Sequence, residues 1–478
     1  MNIILLTEII AVTLVLFHLL GIVSAVEAII KVRTAQGAIA WAISLLTFPY
    51  LAVPCYWVFG RNRFDGYLEQ REQIREKSVE LIEQTTNTVE QHIIPRSSKN
   101  SFYSTLYELA RMPATNGNNV ELLINGEKTF NSIAEGLASA EKYILFEFYI
   151  IRDDELGQRL GNIMIERAQA GVKVKVLYDE IGSRTFAKTA LHRHMEAAGI
   201  EIEPFNTTQG RRNRFQLNFR NHRKIVVVDG LEAWIGGHNV GREYLGLDKK
   251  IGQWRDTHTR IEGPAVLSIE IVFATDWRWA TREPLRIDWD SARTHQGQCN
   301  ALVFPSDPVS QFEETGLMYH QLIVDARERI WIASPYFVPD RSIIAALQLA
   351  ALRGVDVRVI IPDEPDKRIV AMANWSYTNE LLPAGVKVYR YQGGFMHQKV
   401  LLMDDRISGV GTANFDNRSF RLNFEITLLV DNPDFANQIS DMLEADMQHS
   451  RKVYKEDMKT SLPWLLGMGI ARLMSPIL

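Results

Sequence analysis

The first sixty residues differ from the rest of the chain in their pattern of apolar positions. Ile9–Val26 is an 18-residue apolar stretch whose only ionisable side chain is His18, and Gly37–Gly60 is a 24-residue stretch with no charge. A helix needs about 20 apolar residues to cross the hydrocarbon core of a bilayer. The pattern therefore predicts two membrane helices, and Pro49 and Pro54 predict a kink or a break in the second.

The sequence leaves two arrangements of these helices open. Lys31 and Arg33 lie between the stretches, and Arg61 and Arg63 follow the second. Two full spans would place these pairs on opposite sides, so the positive-inside rule does not decide the orientation. A shallow hairpin that enters and leaves one face would remove the conflict. A cleaved signal peptide is disfavoured, because no basic segment precedes the first stretch and a second apolar run follows closely.

Beyond residue 60 the pattern changes. Residues 61–91 are polar with helical spacing of apolar positions, and from about residue 101 short β-rich runs alternate with helical stretches, which is typical of the α/β class. We predict these domains: 1–60 membrane hairpin, 61–100 helical connector, 101–295 first α/β domain, 296–460 second α/β domain, and 461–478 apolar tail. The tail either lies in a membrane interface or packs on the second domain.

An internal repeat organises the α/β region. Three segments of the first half have counterparts in the second, and they occur in the same order. The pairs are Ile144–Ile151 with Ile330–Phe337, Ala170–Leu177 with Arg353–Ile360, and Gly199–Glu203 with Gly385–Tyr389. Two copies of one α/β unit would pack as a pseudo-dimer, and a site at their shared face would draw residues from both.

Each half carries the same chemical motif, His-x-Lys-x-x-x-x-Asp. The first copy has His222, Lys224 and Asp229, and the second copy has His397, Lys399 and Asp404. Residues two apart in a strand face the same side, so each imidazole and its ammonium should point together. One copy would be only suggestive, but two copies at equivalent places in a repeat make chance implausible.

The likeness between the halves continues after each motif. Gly236 and Gly411 each follow the motif histidine by 14 residues, and Asn239 and Asn414 each follow it by 17. Glycine lets a backbone approach an anion closely, and asparagine supplies hydrogen-bond donors. We therefore expect the two asparagines to bind the oxygens of a substrate phosphate.

Charge and cysteine content exclude several other functions. Lys and Arg number 53 against 57 Asp and Glu, a formal net charge of −4, which argues against a general nucleic-acid binder. The two cysteines, Cys55 and Cys299, are too few for a disulfide scaffold, a Cys-based zinc site or an iron–sulfur cluster. A basic run at Arg211–Arg214, followed by Arg220 and Arg223, could attract anionic lipid headgroups or form a solvated loop.

The paired motif resembles that of the phospholipase D superfamily, over about residues 120 to 455. Within it the chain is similar to bacterial cardiolipin synthases in the two apolar N-terminal segments, Gly252–Asp256, Ser334–Pro339, Asn423–Thr427 and the end Ser475–Leu478. This resemblance implies duplicated phospholipase D-like α/β sandwich domains forming a pseudo-dimer behind an N-terminal helical membrane hairpin. It also implies a place in the bacterial inner membrane.

The resemblance implies phosphatidyl transfer between two phosphatidylglycerol molecules, giving cardiolipin and glycerol through a phosphohistidine. One imidazole attacks phosphorus and the other handles the proton of the alcohol, while both lysines neutralise the phosphate oxygens. The resemblance assigns His222 as nucleophile and His397 as general acid/base, and the swapped roles stay open. We expect no cofactor, no metal and no nucleic acid, with membrane phospholipids as partners; the oligomeric state is not predicted.

A catalytic imidazole needs a partner on its second nitrogen. Glu425, 28 residues after His397, resembles the carboxylate that the family uses for this. In the first half the equivalent spacing falls on Lys250, so Asp256 is the expected counterpart. Asp229 and Asp404 either join the catalytic set or brace the motif strand and its turn.

Three other functions compete with this reading. The motif does not separate water from an alcohol as acceptor, so a phospholipase D-type hydrolase is the first alternative. A non-enzymatic membrane scaffold that has kept the fold is the second. A transferase that uses phosphatidylethanolamine as donor is the third.

Overall fold

The computed structural model describes residues 3–32, 34–60, 90–95, 102–205, 218–248, 251–289, 296–310, 312–365 and 367–475. The chain divides into two compact units, one with the N-terminal helices and one with the internal repeat. Apart from residues 90–95, the expected connector 61–100 lies outside the described residues, as does Arg211–Arg214. The domain limits given above remain predictions.

The N-terminal unit is helical. It contains α1 (Ile3–Lys31), α2 (Ala35–Thr47), α3 (Pro49–Cys55) and a π-helical turn at Tyr56–Gly60. The side chain of Thr34 caps α2 by accepting a hydrogen bond from the backbone. Phe48, at φ −139° and ψ 60°, separates α2 from α3, so the break expected at Pro49 is confirmed.

These helices share a small buried cluster and expose many large aliphatic side chains. α1 packs against α2 and α3, and Ala25, Ala28 and Val53 are buried between them. The aliphatic side chains on the outside include Val23 and Ile30, which are 66% and 72% exposed. Thr7–Lys31 is long and apolar enough to cross a membrane. The second apolar stretch was expected to form a crossing helix, but the break divides it into helices of 13 and 7 residues.

The first half of the repeat alternates strands with helices from β1 to α8. Its strands include several that are buried along their whole length, as in sheets covered on both faces. Its elements are α4 (Phe102–Ala110), β1 (Thr115–Ile124), α5 (Asn125–Ser139), β2 (Tyr143–Phe148), α6 (Glu155–Gln169), β3 (Lys173–Asp179), α7 (Ala190–Ala197), β4 (Glu201–Phe205), β5 (Arg220–Asn221), β6 (Lys224–Val228), β7 (Glu232–Gly236), β8 (Trp254–Arg255), β9 (Thr257–Glu262) and α8 (Ala265–Thr281).

The second half repeats the main strands and helices of the first, with three short elements inserted and a strand and a helix added at its end. Its elements are β10 (Cys299–Ser306), α9 (Glu314–Asp325), β11 (Arg329–Ala333), β12 (Phe337–Val338), α10 (Arg341–Leu352), β13 (Asp356–Pro362), α11 (Arg368–Leu381), β14 (Lys387–Tyr391), β15 (Phe395–Met396), β16 (Val400–Met403), β17 (Ile407–Gly411), β18 (Phe415–Asp416), α12 (Asn417–Arg421), β19 (Asn423–Asp431), α13 (Pro433–Gln448), β20 (Ser450–Lys452) and α14 (Leu462–Leu473). Short 3-10 turns lie at Glu90–His92, Phe186–Lys188, Arg242–Leu245, Leu382–Ala384 and Lys455–Asp457.

Both halves have the same strand order. It runs β4-β3-β2-β6-β7-β9-β1 in the first half and β14-β13-β11-β16-β17-β19-β10 in the second, with β20 added at the outer edge of β14. The strands β2, β3 and β4 are parallel, as are β11, β13 and β14. Antiparallel pairing of β1 with β10 joins the halves into one continuous sheet. The duplicated α/β fold and its pseudo-dimeric arrangement are thus confirmed.

Glycines lie at equivalent places in the turns before two equivalent strands. Gly171 and Gly354, at φ 95° and 92°, follow α6 and α10 and precede β3 and β13. A positive φ at the end of a helix is accessible to glycine without the steric cost that a Cβ brings. The shared Gly-Val pattern in the sequence thus reflects a shared turn.

Candidate active site

The two motif histidines lie at equivalent places, each held by the other half. His222 lies between β5 and β6, and its backbone N–H donates to the carbonyl of Phe424 at 2.9 Å. His397 lies between β15 and β16, and its N–H donates to the carbonyl of Arg255 at 2.7 Å. The short strands before them also pair across the halves, β5 with β19 and β15 with β8.

The carboxylate partners of the imidazoles cross between the halves as well. His222 Nδ1 lies 2.9 Å from Oε2 of Glu425, and His397 Nδ1 lies 2.8 Å from Oδ2 of Asp256. In the sequence, each carboxylate was located by its distance from the histidine of its own half. The structure instead gives each histidine the carboxylate of the opposite half.

Each carboxylate is oriented by two further donors. Glu425 accepts hydrogen bonds from Oγ1 of Thr412 at 2.6 Å and from Nδ2 of Asn423 at 3.0 Å. Asp256 accepts from the backbone N–H of Thr257 at 2.8 Å and from the indole N–H of Trp254 at 3.3 Å. Asn423 and Trp254 both stand two residues before the carboxylate that they support, so the two sites use one backbone plan with different side chains.

A glycine makes room for the shorter carboxylate. A Cβ added to Gly237 would lie 2.0 Å from Oδ1 of Asp256, so this position tolerates no side chain in the present geometry. The equivalent position in the second half is Thr412, whose hydroxyl reaches Glu425.

The motif lysines lie beside the histidines. Nζ of Lys224 donates to the backbone carbonyl of His222 at 2.6 Å. Nζ of Lys399 lies 2.8 Å from Nδ1 and 3.1 Å from Nε2 of His397 and also contacts its carbonyl oxygen. All four side chains are buried.

Burial and mutual charge lower the pKa of these groups. Desolvation is the main cause that lowers the pKa of His222 to about 4 and that of His397 to about 3; the lysines act in the same direction, while Glu425 and Asp256 oppose the shift. Desolvation likewise lowers the pKa of Lys224 to about 7 and that of Lys399 to about 8. Lys399 acts on His222 and Lys224 acts on His397, so the two motifs form one electrostatic site.

The two carboxylates remain ionised. Burial alone would raise the pKa of Glu425 and Asp256, but the neighbouring histidines and lysines outweigh it and lower both pKa values. At neutral pH both imidazoles are therefore neutral and both carboxylates are charged. Within the described ranges, no group of three or more His, Cys, Asp or Glu side chains is placed to hold a metal ion.

The motif aspartates lie at the other end of their strands. Asp229 follows β6 by one residue, about 16 Å along the strand from Lys224. Its carboxylate accepts backbone N–H groups of residues 141, 142 and 143 at 2.7 to 2.8 Å. Asp404 accepts those of residues 327, 328 and 329 at 2.8 to 3.2 Å. Both aspartates have a positive φ, 53° and 52°, and both brace the turn that enters the neighbouring strand.

The two asparagines are buried but differ in their contacts. The amide of Asn239 accepts from the backbone N–H of Ile150 at 3.3 Å and donates to the hydroxyl of Tyr244 at 2.9 Å. Oδ1 of Asn414 is buried and has no hydrogen-bond partner among the described residues. The two asparagines therefore occupy equivalent places in the repeat without sharing the same contacts.

Sequence reasoning missed the aromatic residues around the histidines. The ring of Tyr149 lies 5.1 Å from that of His222, and the ring of Trp254 lies 5.0 Å from that of His397. The signal for Tyr149 was its place directly after the repeated strand β2. Arg223, which was grouped with a surface basic run, is instead buried and paired with Asp276.

Comparisons with known proteins agree with this geometry. The family model "Cardiolipin synthase, PLD-like domain" matches residues 133–263 and 319–447, one segment in each half. A cardiolipin synthase A of Pseudomonas fluorescens is 46% identical over 470 residues, and one of Pseudomonas entomophila is 47% identical over 468 residues; each match covers 97% of both chains.

A solved structure shares the fold. The phosphatidylserine synthase of Haemophilus influenzae superposes with a TM-score of 0.58 at 16% identity, covering 79% of this chain and 100% of that one. From the paired segments and the full-length identity, we conclude that the chain belongs to the cardiolipin synthase family of phospholipase D-like proteins.

Proposed function

We propose that this phosphatidyltransferase moves a phosphatidyl group from one phosphatidylglycerol to a second, forming cardiolipin and glycerol. The observation that carries the proposal is the crossed pair His222–Glu425 and His397–Asp256, together with the two buried lysines. Two imidazoles and two ammonium groups that act on one another electrostatically suit a phosphodiester that is cleaved and formed again. Membership of the cardiolipin synthase family supports the choice of lipid substrates.

In the first step His222 acts as nucleophile. Its Nδ1–H donates a hydrogen bond to Glu425, which leaves the lone pair of Nε2 free for attack on phosphorus. The new bond joins Nε2 to phosphorus, and the bond from phosphorus to the glycerol oxygen breaks. The glycerol oxygen takes a proton from His397, so glycerol leaves as a neutral alcohol.

In the second step the reaction runs in the opposite sense with another alcohol. A terminal hydroxyl of the second phosphatidylglycerol gives its proton to His397 and attacks phosphorus. The bond between phosphorus and His222 breaks, and cardiolipin is released. One phosphodiester replaces another, so the proposed reaction uses no nucleotide, metal or other cofactor.

The charges of the site favour this cycle. Glu425 and Asp256 carry two negative charges, which Lys224 and Lys399 balance when both are protonated. A bound phosphodiester adds one negative charge, and one proton shared by the two imidazoles restores neutrality. The lysines stabilise the charge on the phosphate oxygens, with Asn414 and Asn239 as further donors. Asp229 and Asp404 act as positioning residues through the turns that they brace.

The proposed partners are membrane phospholipids and the bilayer itself, not nucleic acid. The helix Thr7–Lys31 is the proposed anchor, and the bacterial inner membrane is the proposed location.

The test uses the full chain in vesicles with phosphatidylglycerol labelled in its headgroup and acyl chains. We expect cardiolipin and glycerol in equal amounts, and unlabelled phosphatidylethanolamine should not enter the product. Phosphatidic acid as the main product would instead establish a hydrolase. His222→Ala and His397→Ala should each abolish turnover. The matched control is His449→Ala, at an exposed position, which should keep full turnover. Retained turnover in either of the first two variants would show that these histidines are not the catalytic groups.

Acid-stable lipid label on the protein would count against a phosphohistidine, since the phosphorus–nitrogen bond is acid-labile. With a phosphatidyl donor whose leaving group needs no proton, such as a p-nitrophenyl ester, we expect base-stable label to accumulate in His397→Ala, and not in His222→Ala. The reverse pattern would exchange the roles of the two histidines.

A further inference from the structure

The C-terminal helix α14 presents an apolar stripe on its outer face. Leu462, Leu466, Ile470 and Leu473 are 69%, 60%, 59% and 83% exposed, and they recur at helical spacing. Seven large apolar side chains are exposed between residues 462 and 474, which is a dense cluster for a surface facing water.

The opposite face fixes the helix to the catalytic unit. Met468 and Ala471 are buried, and α14 packs along α11. The guanidinium of Arg472 pairs with Glu380 at 2.8 Å, and the hydroxyl of Tyr377 donates to Ser475 at 3.1 Å. The helix is therefore docked through one face. Of the two positions expected for residues 461–475, the structure shows packing, but the stripe is left exposed; residues 476–478 lie outside the described residues.

Cations and aromatic rings border the stripe. Nζ of Lys459 lies 4.9 Å from the ring centre of Trp375 and 5.6 Å from that of Trp464. The guanidinium of Arg472 lies 5.2 Å from the ring centre of Tyr377. Tryptophan, tyrosine and basic side chains concentrate where the acyl chains of a bilayer meet its headgroups. Trp375 and Tyr377 are buried and support the two cations from beneath, whereas Trp464, 37% exposed, reaches the surface beside the stripe together with Lys459 and Arg472, as at a phospholipid surface.

We propose that α14 lies in the surface of a phospholipid bilayer, with its stripe among the acyl chains and Lys459 and Arg472 at the anionic headgroups. A bilayer is at hand because the same chain carries Thr7–Lys31, which is long and apolar enough to cross one. The helix then gives the catalytic unit a membrane contact of its own. This proposal concerns where the unit binds, and it stands or falls separately from the lipid chosen as donor.

Site-directed fluorescence tests the depth of the helix in the full chain. An environment-sensitive probe is attached to Leu466→Cys or Leu473→Cys in a Cys55→Ser, Cys299→Ser background, and the protein is reconstituted in phosphatidylglycerol-containing vesicles. We expect blue-shifted emission that lipid-borne quenchers reduce and iodide does not. A probe at exposed Glu444, on α13, is the control and should respond only to iodide.

Two outcomes would overturn the proposal. Iodide quenching at positions 466 and 473 equal to that at 444 would place the stripe in water. Protection from both quenchers, accompanied by crosslinking between probes of two chains, would make the occupant a second copy of the protein.

A charge in the stripe tests the consequence for turnover. Leu466→Glu with Ile470→Glu should lower activity on vesicles about tenfold. Activity in mixed detergent–lipid micelles should stay unchanged, since the site itself is intact. The matched control is Leu349→Glu, which is 57% exposed on α10 and outside the stripe. Equal activity of the double variant and the control on vesicles would refute the proposal, and loss in micelles as well would mean damage to the fold rather than to binding.

Discussion

The two halves of the repeat share one strand order but surround their histidines differently. Beside His222 lie the ring of Tyr149 and, over that ring at 5.5 Å, the ammonium of Lys224. Beside His397 lie the rings of Trp254 and Phe395, at 5.0 and 5.9 Å. The backbone plan is symmetric, whereas the chemical environment is more polar on one side and more aromatic on the other.

The supporting ion pairs also differ between the two motifs. In the first motif the residue between His and Lys is Arg223, which pairs with Asp276. In the second motif that residue is Gln398, and the buried arginine is Arg255, which pairs with Asp446. A buried Arg–Asp pair thus lies near each motif, but both arginines belong to the first half, and Arg255 reaches across to Asp446 of the second. Duplication has thus preserved the geometry and left the side chains that achieve it free to diverge.

The largest effect is expected from the crossed carboxylates. Glu425→Gln and Asp256→Asn should each lower kcat by about 10² to 10⁴, because the imidazole loses the acceptor that fixes its tautomer. Histidine nitrogen NMR should then show a changed His222 signal in the first variant and a changed His397 signal in the second.

The assignment of signals decides whether the pairs cross. Perturbation of the histidine in the same half as the altered carboxylate would show that the crossing is wrong. Glu444→Gln, an exposed glutamate of α13, is the control and should leave both signals unchanged.

An intermediate effect is expected from exchanging Gly237 and Thr412. Gly237→Thr should lower kcat about a hundredfold, because its Cβ would displace the carboxylate of Asp256. Thr412→Gly removes one hydrogen bond to Glu425 and should cost about tenfold, a typical value for a bond to a charged group. Steady-state kinetics on folded variants check both numbers. Thr412→Ser keeps the hydroxyl and should stay near the parent rate. Equal losses of kcat in all three variants would show that positions 237 and 412 do not play different roles in the two halves.

The smallest effect is expected in the pH profile. A lysine with a lowered pKa loses its charge as pH rises through that value, about 7 for Lys224 and about 8 for Lys399. We therefore expect kcat/KM to fall severalfold between pH 7 and pH 9. Arginine stays charged over this range, so Lys224→Arg should move the alkaline limb upward more than Lys399→Arg does. Identical alkaline limbs in the parent protein and both variants would contradict a lower pKa for Lys224 than for Lys399.

Much of the fold followed from the sequence because repetition is visible in it. The paired Gly-Val strands and the two spaced motifs located the halves and the region of the site. The crossing of Glu425 and Asp256 was not predictable, since spacing along a chain does not show which half a strand end reaches. The helix break at Phe48 was signalled by proline, whereas Phe395 carried no pattern that separates it from an ordinary core residue.

The two halves that meet where β1 pairs with β10 cannot be separated without loss of the catalytic pairs. A fragment ending after α8 would hold His222 without Glu425, and its complement would hold His397 without Asp256. Neither piece contains one complete hydrogen-bonded dyad, so the minimal unit of chemistry in this architecture is the whole duplicate. An ancestor made of single halves could have worked only by assembling in pairs.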